Sequence, residues 1–289
     1  MQTIATVGRP RTVSWVLTAR PTSDGDDVNL YRTIGDPSLR DLDPFLLLDE
    51  FRSEEATESL PGFPDHPHRG FETVTYLLAG RVRHADNKGH QGALEAGGVQ
   101  WMTAGRGIVH SEMLEQQDDR IRGFQLWLNL PAKDKMVPPR YQEFAPEAIP
   151  AVTGPNGECI RVIAGRVGAV EGPVRGIATD PLYLDIALLP HSRFVQIIPA
   201  GHTAFAYIFE GQAEIGATEE APGEPRGERQ LAVLGDGDSV TLVTGETPAR
   251  LLLVAARPLD EPVVRYGPFV MNTQLEIWEA VQDYHTGKF

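Results

Sequence analysis

Glycine and proline punctuate this chain from end to end, 29 Gly and 23 Pro among 289 residues, and that spacing limits what it can fold into. Proline removes a backbone donor and glycine loosens the backbone, so few stretches can sustain a helix of several turns. Between the breaks lie short β-branched and aromatic runs at residues 73–78, 100–103, 124–130, 160–163, 182–188, 194–198, 204–209, 239–243 and 250–255. Short strands at fairly regular spacing indicate an all-β fold of antiparallel sandwiches or barrels. Residues 273–284 read differently. Leu275, Ile277, Trp278 and Val281 form an approximate apolar stripe, and Thr273 precedes Glu276 with the spacing of a capping box. This predicts a helix whose indole and aliphatic groups pack on a barrel.

A chain of this length supplies one large or two medium domains. Strand signals fade over residues 131–150, PAKDKMVPPRYQEFAPEAIP, which carry five prolines and mixed charge. The expected organisation is therefore a first domain at 1–133, a linker at 134–150 and a second domain at 151–289. Residues 73–80 (TVTYLLAG) and 204–211 (AFAYIFEG) share an aromatic–aliphatic strand closing on glycine, which suits two related barrels. Residues 217–229, rich in Glu, Gly and Pro, read as a solvated surface loop.

The formal net charge of −14 repels phosphate backbones and anionic lipid, so direct nucleic-acid or membrane-surface binding is disfavoured. A single cysteine, Cys159, closes no internal disulfide and builds no cysteine metal cluster. No apolar run approaches the roughly 18 residues needed to span a bilayer, and the first twenty residues lack a continuous apolar core. The expected setting is cytoplasmic.

Residues 62–112 carry the chemistry. On a strand, successive side chains alternate faces, so His66 and His68 can aim at one point, and His110 and Glu112 form a second like-facing pair. If the two strands are neighbours, three imidazoles and a carboxylate converge, a donor set suited to a divalent first-row metal with open positions. Pro67 cannot donate to a ladder, which places this segment on an edge or irregular strand. Glu72 is a rival carboxylate, and spacing alone does not choose between it and Glu112. His84 and His90 lie in the turn-rich RHADNKGHQG and read as loop histidines. Phe71, Trp101, Met102, Phe124 and Trp127 read as core, with some available to wall an aromatic substrate. Over residues 124–129, Phe124, Leu126 and Leu128 alternate with Gln125, Trp127 and Asn129, and either set could face inward. Arg106 stands between Gly105 and Gly107 on an expected tight turn. Cys159 has no activating neighbour in sequence.

HPHRGFETVTYLL, GGVQWMTAGRGIVHSEM, GPFVMNTQLEIWEAVQDYHTGKF and DPFLLLDEF together closely resemble the pirin family of the cupin superfamily. The resemblance covers nearly the whole chain and is strongest in its first half. It implies a bicupin of two antiparallel β-barrel, jelly-roll domains with a C-terminal helix, and a monomer. It also implies one mononuclear metal in the first domain, most often iron, with Mn, Co, Ni or Cu compatible with the same ligands. The family pattern assigns the ligands to His66, His68, His110 and Glu112, leaving Glu72 in a supporting role. In the second domain His202 stands alone in AGHTAFAYIF and His191 lies in a turn-like PHSR, so the resemblance implies no second metal. Two functions follow from the likeness. One is a dioxygenase that cleaves a flavonol such as quercetin with O2, Glu112 acting as ligand and proton acceptor. The other is an iron-containing, redox-responsive regulatory module that binds a protein partner.

Overall fold

A computed structural model describes residues 8–53, 62–155, 157–218, 223 and 225–289. The chain forms two compact units, one drawn from Met1–Ala19 and Ile149–Pro258, the other from Arg20–Ala148 and Leu259–Phe289. The division expected at 1–133 and 151–289 therefore differs at both ends of the chain. The cause of the first exchange is strand pairing, Val13–Thr18 lying antiparallel to Gln230–Leu234. The second exchange begins at Asp43, whose carboxylate accepts from the amides of Leu259 at 2.9 Å and Asp260 at 2.8 Å. The expected linker is also more structured than its prolines indicate. Arg140–Phe144 forms a strand that pairs with Val99–Thr103.

In the unit containing residues 20–148, the expected jelly roll is built from two antiparallel sheets that do not close into a continuous barrel. The larger has seven strands in the order Arg140–Phe144, Val99–Thr103, Phe71–Ala79, Ile121–Asn129, Phe45–Ser53, Val28–Arg32 and Arg20–Asp24. The smaller has four, in the order Gly62–His68, Ile108–Glu115, Arg81–Asp86 and Gln91–Glu95. They pack face to face: Leu30, Phe51 and Leu77 of the larger share one apolar cluster with Val82, Leu94 and Leu114 of the smaller. As the two prolines require, the strand bearing Pro64 and Pro67 is an edge strand.

The other unit is built on a ten-stranded antiparallel sheet. Its long strand Thr203–Ile215 pairs with Gln230–Leu234 and Ala249–Ala256 along its first part, then reaches Ser239–Val243 beyond an irregularity between Ile208 and Glu210. A strand that breaks register in this way turns a corner and serves two layers. Leu184, Ile186, Ala206, Leu242, Leu251 and Leu253 meet in the resulting core. The two echoing segments hold equivalent places, since Phe71–Ala79 and Thr203–Ile215 are each flanked by strands on both sides. Of the expected loop at 217–229, residues 219–222 and 224 lie outside the described residues, and Pro225–Gly227 pairs with Thr203–Ile215.

The helix spans Gln274–His285 and starts as the sequence predicts. Thr273 accepts from the Glu276 amide at 3.2 Å, and Glu276 accepts from the Thr273 amide at 2.8 Å. Its buried face is different. Ile277 and Ala280 are buried, whereas Leu275 and Trp278 are 65% and 60% exposed, so the expected packing of the indole does not occur. The core patch under the helix, made by Phe269, Met271 and Phe289, meets only the Ile277 side. Among the described residues no helix is long and apolar enough to cross a membrane.

A buried lysine ties this unit together. Lys135 Nζ donates to Asn129 Oδ1 at 2.6 Å, to the Gly70 carbonyl at 2.7 Å and to the Val270 carbonyl at 3.0 Å. Burial pulls its pKa down to about 8. Lys135→Met leaves three acceptors without their donor and is expected to cost about 3 kcal/mol in denaturant unfolding. Because the folded-state pKa lies below the unfolded value of 10.5, the folded protein binds fewer protons between these limits. Wild type should therefore gain stability relative to Lys135→Met as pH rises from about 8 to 10.5.

Candidate metal centre

The site begins with the pairing of two short strands. Gly62–His68 runs antiparallel to Ile108–Glu115 with His66 opposite His110. Between that pair and the next, Glu112 opposite Phe63, the first strand carries one extra residue. The bulge falls where Pro64 has no N–H to contribute. On its other side Ile108–Glu115 pairs without interruption, placing Asp86 beside His110 and His84 beside Glu112.

This geometry gathers His66, His68 and His110, with one ligand nitrogen from each lying within 4.8 Å of the others. His66 Nε2 is 3.0 Å from His68 Nε2, close enough to share one proton or one cation. His66 Nδ1 lies 2.8 Å from the Pro64 carbonyl, which can only accept, so Nδ1 carries the proton and Nε2 presents its lone pair to the cluster. His68 and His110 are 2% and 1% exposed. Burial, reinforced by the neighbouring imidazoles, holds both well below the ordinary histidine pKa, so they stand neutral near pH 7. Both ring nitrogens of His110 are buried without a hydrogen-bond partner. Neutral, buried imidazoles with unused lone pairs fit a divalent transition metal.

Glu112 is buried on the wall of the same cavity but is not part of the three-histidine cluster. Thr75 Oγ1 donates to its Oε1 at 2.8 Å, and Gln125 Nε2 lies 3.3 Å from its Oε2. Glu72 points the other way. It alternates with Phe71 and Thr75, whose side chains face the histidines and the cavity. Its carboxyl accepts from Thr103 Oγ1 at 2.7 Å, and burial raises its pKa.

The cavity has a volume of about 440 Å³ and lies between the two sheets. Of the alternating faces of Ile121–Asn129, the one with Gln125 and Trp127 lines it, while Phe124, Leu126 and Leu128 are buried on the opposite side. Trp127 meets His68 edge-on at 5.2 Å and Phe71 at 4.4 Å. The Arg265 guanidinium lies 4.8 Å from the Trp127 ring centre. Leu30, Leu47, Phe51 and Leu114 make much of the remaining wall apolar. Trp101 and Met102 are buried in the sheet and do not line the cavity.

Other expectations resolve differently. His84 is on the strand Arg81–Asp86 and not in a loop, its Nε2 2.8 Å from the Glu143 carboxylate. His90 is exposed and bonds Asp86 at 2.9 Å. In the other unit His202 Nε2 is 3.1 Å from the Asp180 carbonyl, and the exposed His191 faces Glu246 at 3.4 Å. Arg106 is exposed on a turn whose flanking Gly105 and Gly107 have φ of 52° and 136°. Cys159 is exposed and free. Sequence reading missed Thr75 and Gln125. The parity of Thr75 with Phe71 could have found the first, but nothing in the pattern marks the second as a partner of Glu112.

Two antiparallel β-units, one carrying a histidine cluster on paired strands, define a two-domain cupin. The family model described as Pirin matches residues 27–128, and that described as Pirin C-terminal cupin domain matches residues 183–289. A pirin-like protein of Caulobacter vibrioides is 45% identical over 282 residues, covering 96% of this chain and 99% of the relative. Pirin of Homo sapiens is 43% identical over 286 residues, covering 98% and 95%. A crystal structure of quercetin 2,3-dioxygenase from Acinetobacter baumannii is similar with a TM-score of 0.86 at 33% identity, covering 97% of this chain and 98% of that one. The chain belongs to the pirin family.

Metal stoichiometry measured by elemental analysis after equilibrium dialysis distinguishes the two glutamates. His110→Ala is expected to abolish stoichiometric binding, and Glu112→Gln to weaken it by about 10–100-fold. Glu72→Gln is expected to leave it unchanged. Loss of metal in Glu72→Gln with retention in Glu112→Gln would reverse the assignment.

Proposed function

We propose that this protein is a metal-dependent dioxygenase that opens the heterocyclic ring of a flavonol such as quercetin with O2, releasing a depside and carbon monoxide. The observation that carries this reading is the convergence of three imidazoles, those of His68 and His110 buried and that of His66 partly so, beside a carboxylate on the wall of a largely apolar cavity. The likeness to a structure described as a quercetin 2,3-dioxygenase supports the choice of substrate. The cavity volume of about 440 Å³ also falls within the roughly 300–1,000 Å³ usual for small-molecule sites.

In this reading His66, His68, His110 and Glu112 hold the metal. A bound divalent ion, iron first with Mn, Co, Ni and Cu as alternatives, supplies Lewis acidity to the substrate's 3-hydroxyl and a redox partner for O2. The chain's own groups do the rest. Glu112 accepts the hydroxyl proton. Thr75 and Gln125 hold its two oxygens and so fix the direction from which it takes that proton. Trp127 and the leucines around it offer flat apolar walls that orient a planar substrate and exclude water from the activated ring.

The decisive experiment measures oxygen uptake together with headspace carbon monoxide, using metal-reconstituted protein and quercetin. Equal amounts of O2 consumed and carbon monoxide released are expected, with at least a hundredfold loss of rate in Glu112→Ala at matched metal occupancy. Full metal occupancy without turnover of quercetin would refute the flavonol assignment.

A further inference from the structure

We propose that residues 268–289 form a clamp that positions two of the three metal histidines, with Arg69 and Phe289 as its positioning residues. The inference rests on reading His66, His68 and His110 as a metal site.

Arg69 follows His68 directly and is 3% exposed. Each part of its side chain is committed to a different element. Nε donates to the Arg106 carbonyl at 2.6 Å, in the turn that leads into the strand of His110. One terminal nitrogen donates to Asp283 of the helix at 3.0 Å. The guanidinium carbon lies 4.4 Å from the centre of the Phe289 ring. The Arg69 backbone is held as well, its N–H donating to Pro268 at 3.3 Å and its carbonyl accepting from Val270 at 3.0 Å.

The same segment reaches the opposite strand. Val109, which precedes His110, packs against the cluster of Phe269, Ile277 and Phe289. Asn87 donates from its side chain to the Phe289 carbonyl at 2.9 Å and from its backbone to the Val109 carbonyl at 2.9 Å. Phe289 also occupies the space a side chain at Gly107 would need, since a Cβ there would lie 2.8 Å from its ring.

One guanidinium stacked on one ring thus sets the separation between residue 69 and residues 106–109, and so between the strands carrying His68 and His110. Metal affinity depends steeply on such spacing, because ligands held off their positions must be drawn in when the ion binds. Arginine is suited to this place by its planar fork, which reaches two acceptors while stacking on a ring; lysine cannot do all three.

Cobalt(II) titration of the metal-free protein, followed by its visible d–d absorption, tests the clamp. Arg69→Lys and Phe289→Ala are expected to weaken Co(II) binding by about tenfold or more and to alter the band shape. Phe289→Tyr, which keeps the ring, should restore both. Val28→Ala, a core truncation in the same unit away from the clamp, serves as the control for general loosening, with thermal unfolding of every variant measured without metal. Wild-type affinity and spectrum in Arg69→Lys and Phe289→Ala would overturn the clamp, as would an equal loss in Val28→Ala at matched unfolding temperature. A wild-type protein that binds no Co(II) would overturn the metal site itself and the clamp with it.

Discussion

The antiparallel pairing of Gly62–His68 with Ile108–Glu115 is the constraint on which the site depends. Side-chain alternation within each strand brings His66 and His68 to one face, but it is register that decides whether His110 meets them. A slip of one residue would turn the second strand's ligands to the opposite face. Register is secured on both sides of Ile108–Glu115: the bulged edge strand holds His66 opposite His110, and the regular pairing with Arg81–Asp86 sets the position of Glu112. A proline-rich edge strand is suited to the first task. Pro64 and Pro67 remove donors that would otherwise pair with a further strand, so the bend at the bulge is not opposed by ladder bonds.

Burial then decides the chemical state of the ligands. An imidazole removed from water loses its affinity for a second proton, and each neighbouring imidazole opposes that proton further. The cluster is therefore prepared for a cation by the same packing that builds the fold. The carboxylate is treated differently. Thr75 and Gln125 compensate Glu112 with hydrogen bonds, and Arg32 does the same for the buried Asp49 on the cavity wall, at 2.8 and 2.7 Å. Asp49 and Glu112 are thus each hydrogen-bonded locally, while both ring nitrogens of His110 are left without a partner.

Much of this was legible in the sequence because it depends on local periodicity. Strand alternation paired His66 with His68 and His110 with Glu112, Pro67 marked an edge, and the Thr73–Gly80 and 204–211 echo marked two central strands. The helix cap was readable for the same reason, since Thr273 and Glu276 satisfy each other within one turn. What was not legible depends on partners distant in the chain. Trp278 belongs to an apolar stripe by spacing, yet the helix buries Ile277 and Ala280 because the patch of Phe269, Met271 and Phe289 lies on that side. The inward face of Ile121–Asn129 could not be chosen until the opposing sheet was known. The exchange of chain ends between units is likewise a matter of pairing, and no composition shift announces it.

The two units put related strands to opposite uses. In one, Thr75 of the central strand faces a cavity and bonds Glu112; in the other, Ala204, Ala206 and Ile208 of the echoing strand enter a continuous aliphatic core. The difference lies in what each strand faces, since a small polar residue at 75 needs a polar partner, whereas alanines at 204 and 206 let aliphatic neighbours close over them. In that unit His202 Nε2 lies 3.1 Å from the Asp180 backbone carbonyl. Where the cavity is kept, polar anchors reach the strands beside it from elements outside the two sheets. Lys135, bonded to Gly70 and Val270, and Arg69, bonded to Arg106 and Asp283, are these anchors, immediately beside the histidines. The open site and the polar anchors around it are thus two consequences of one requirement, that three imidazoles be held in place beside a cavity.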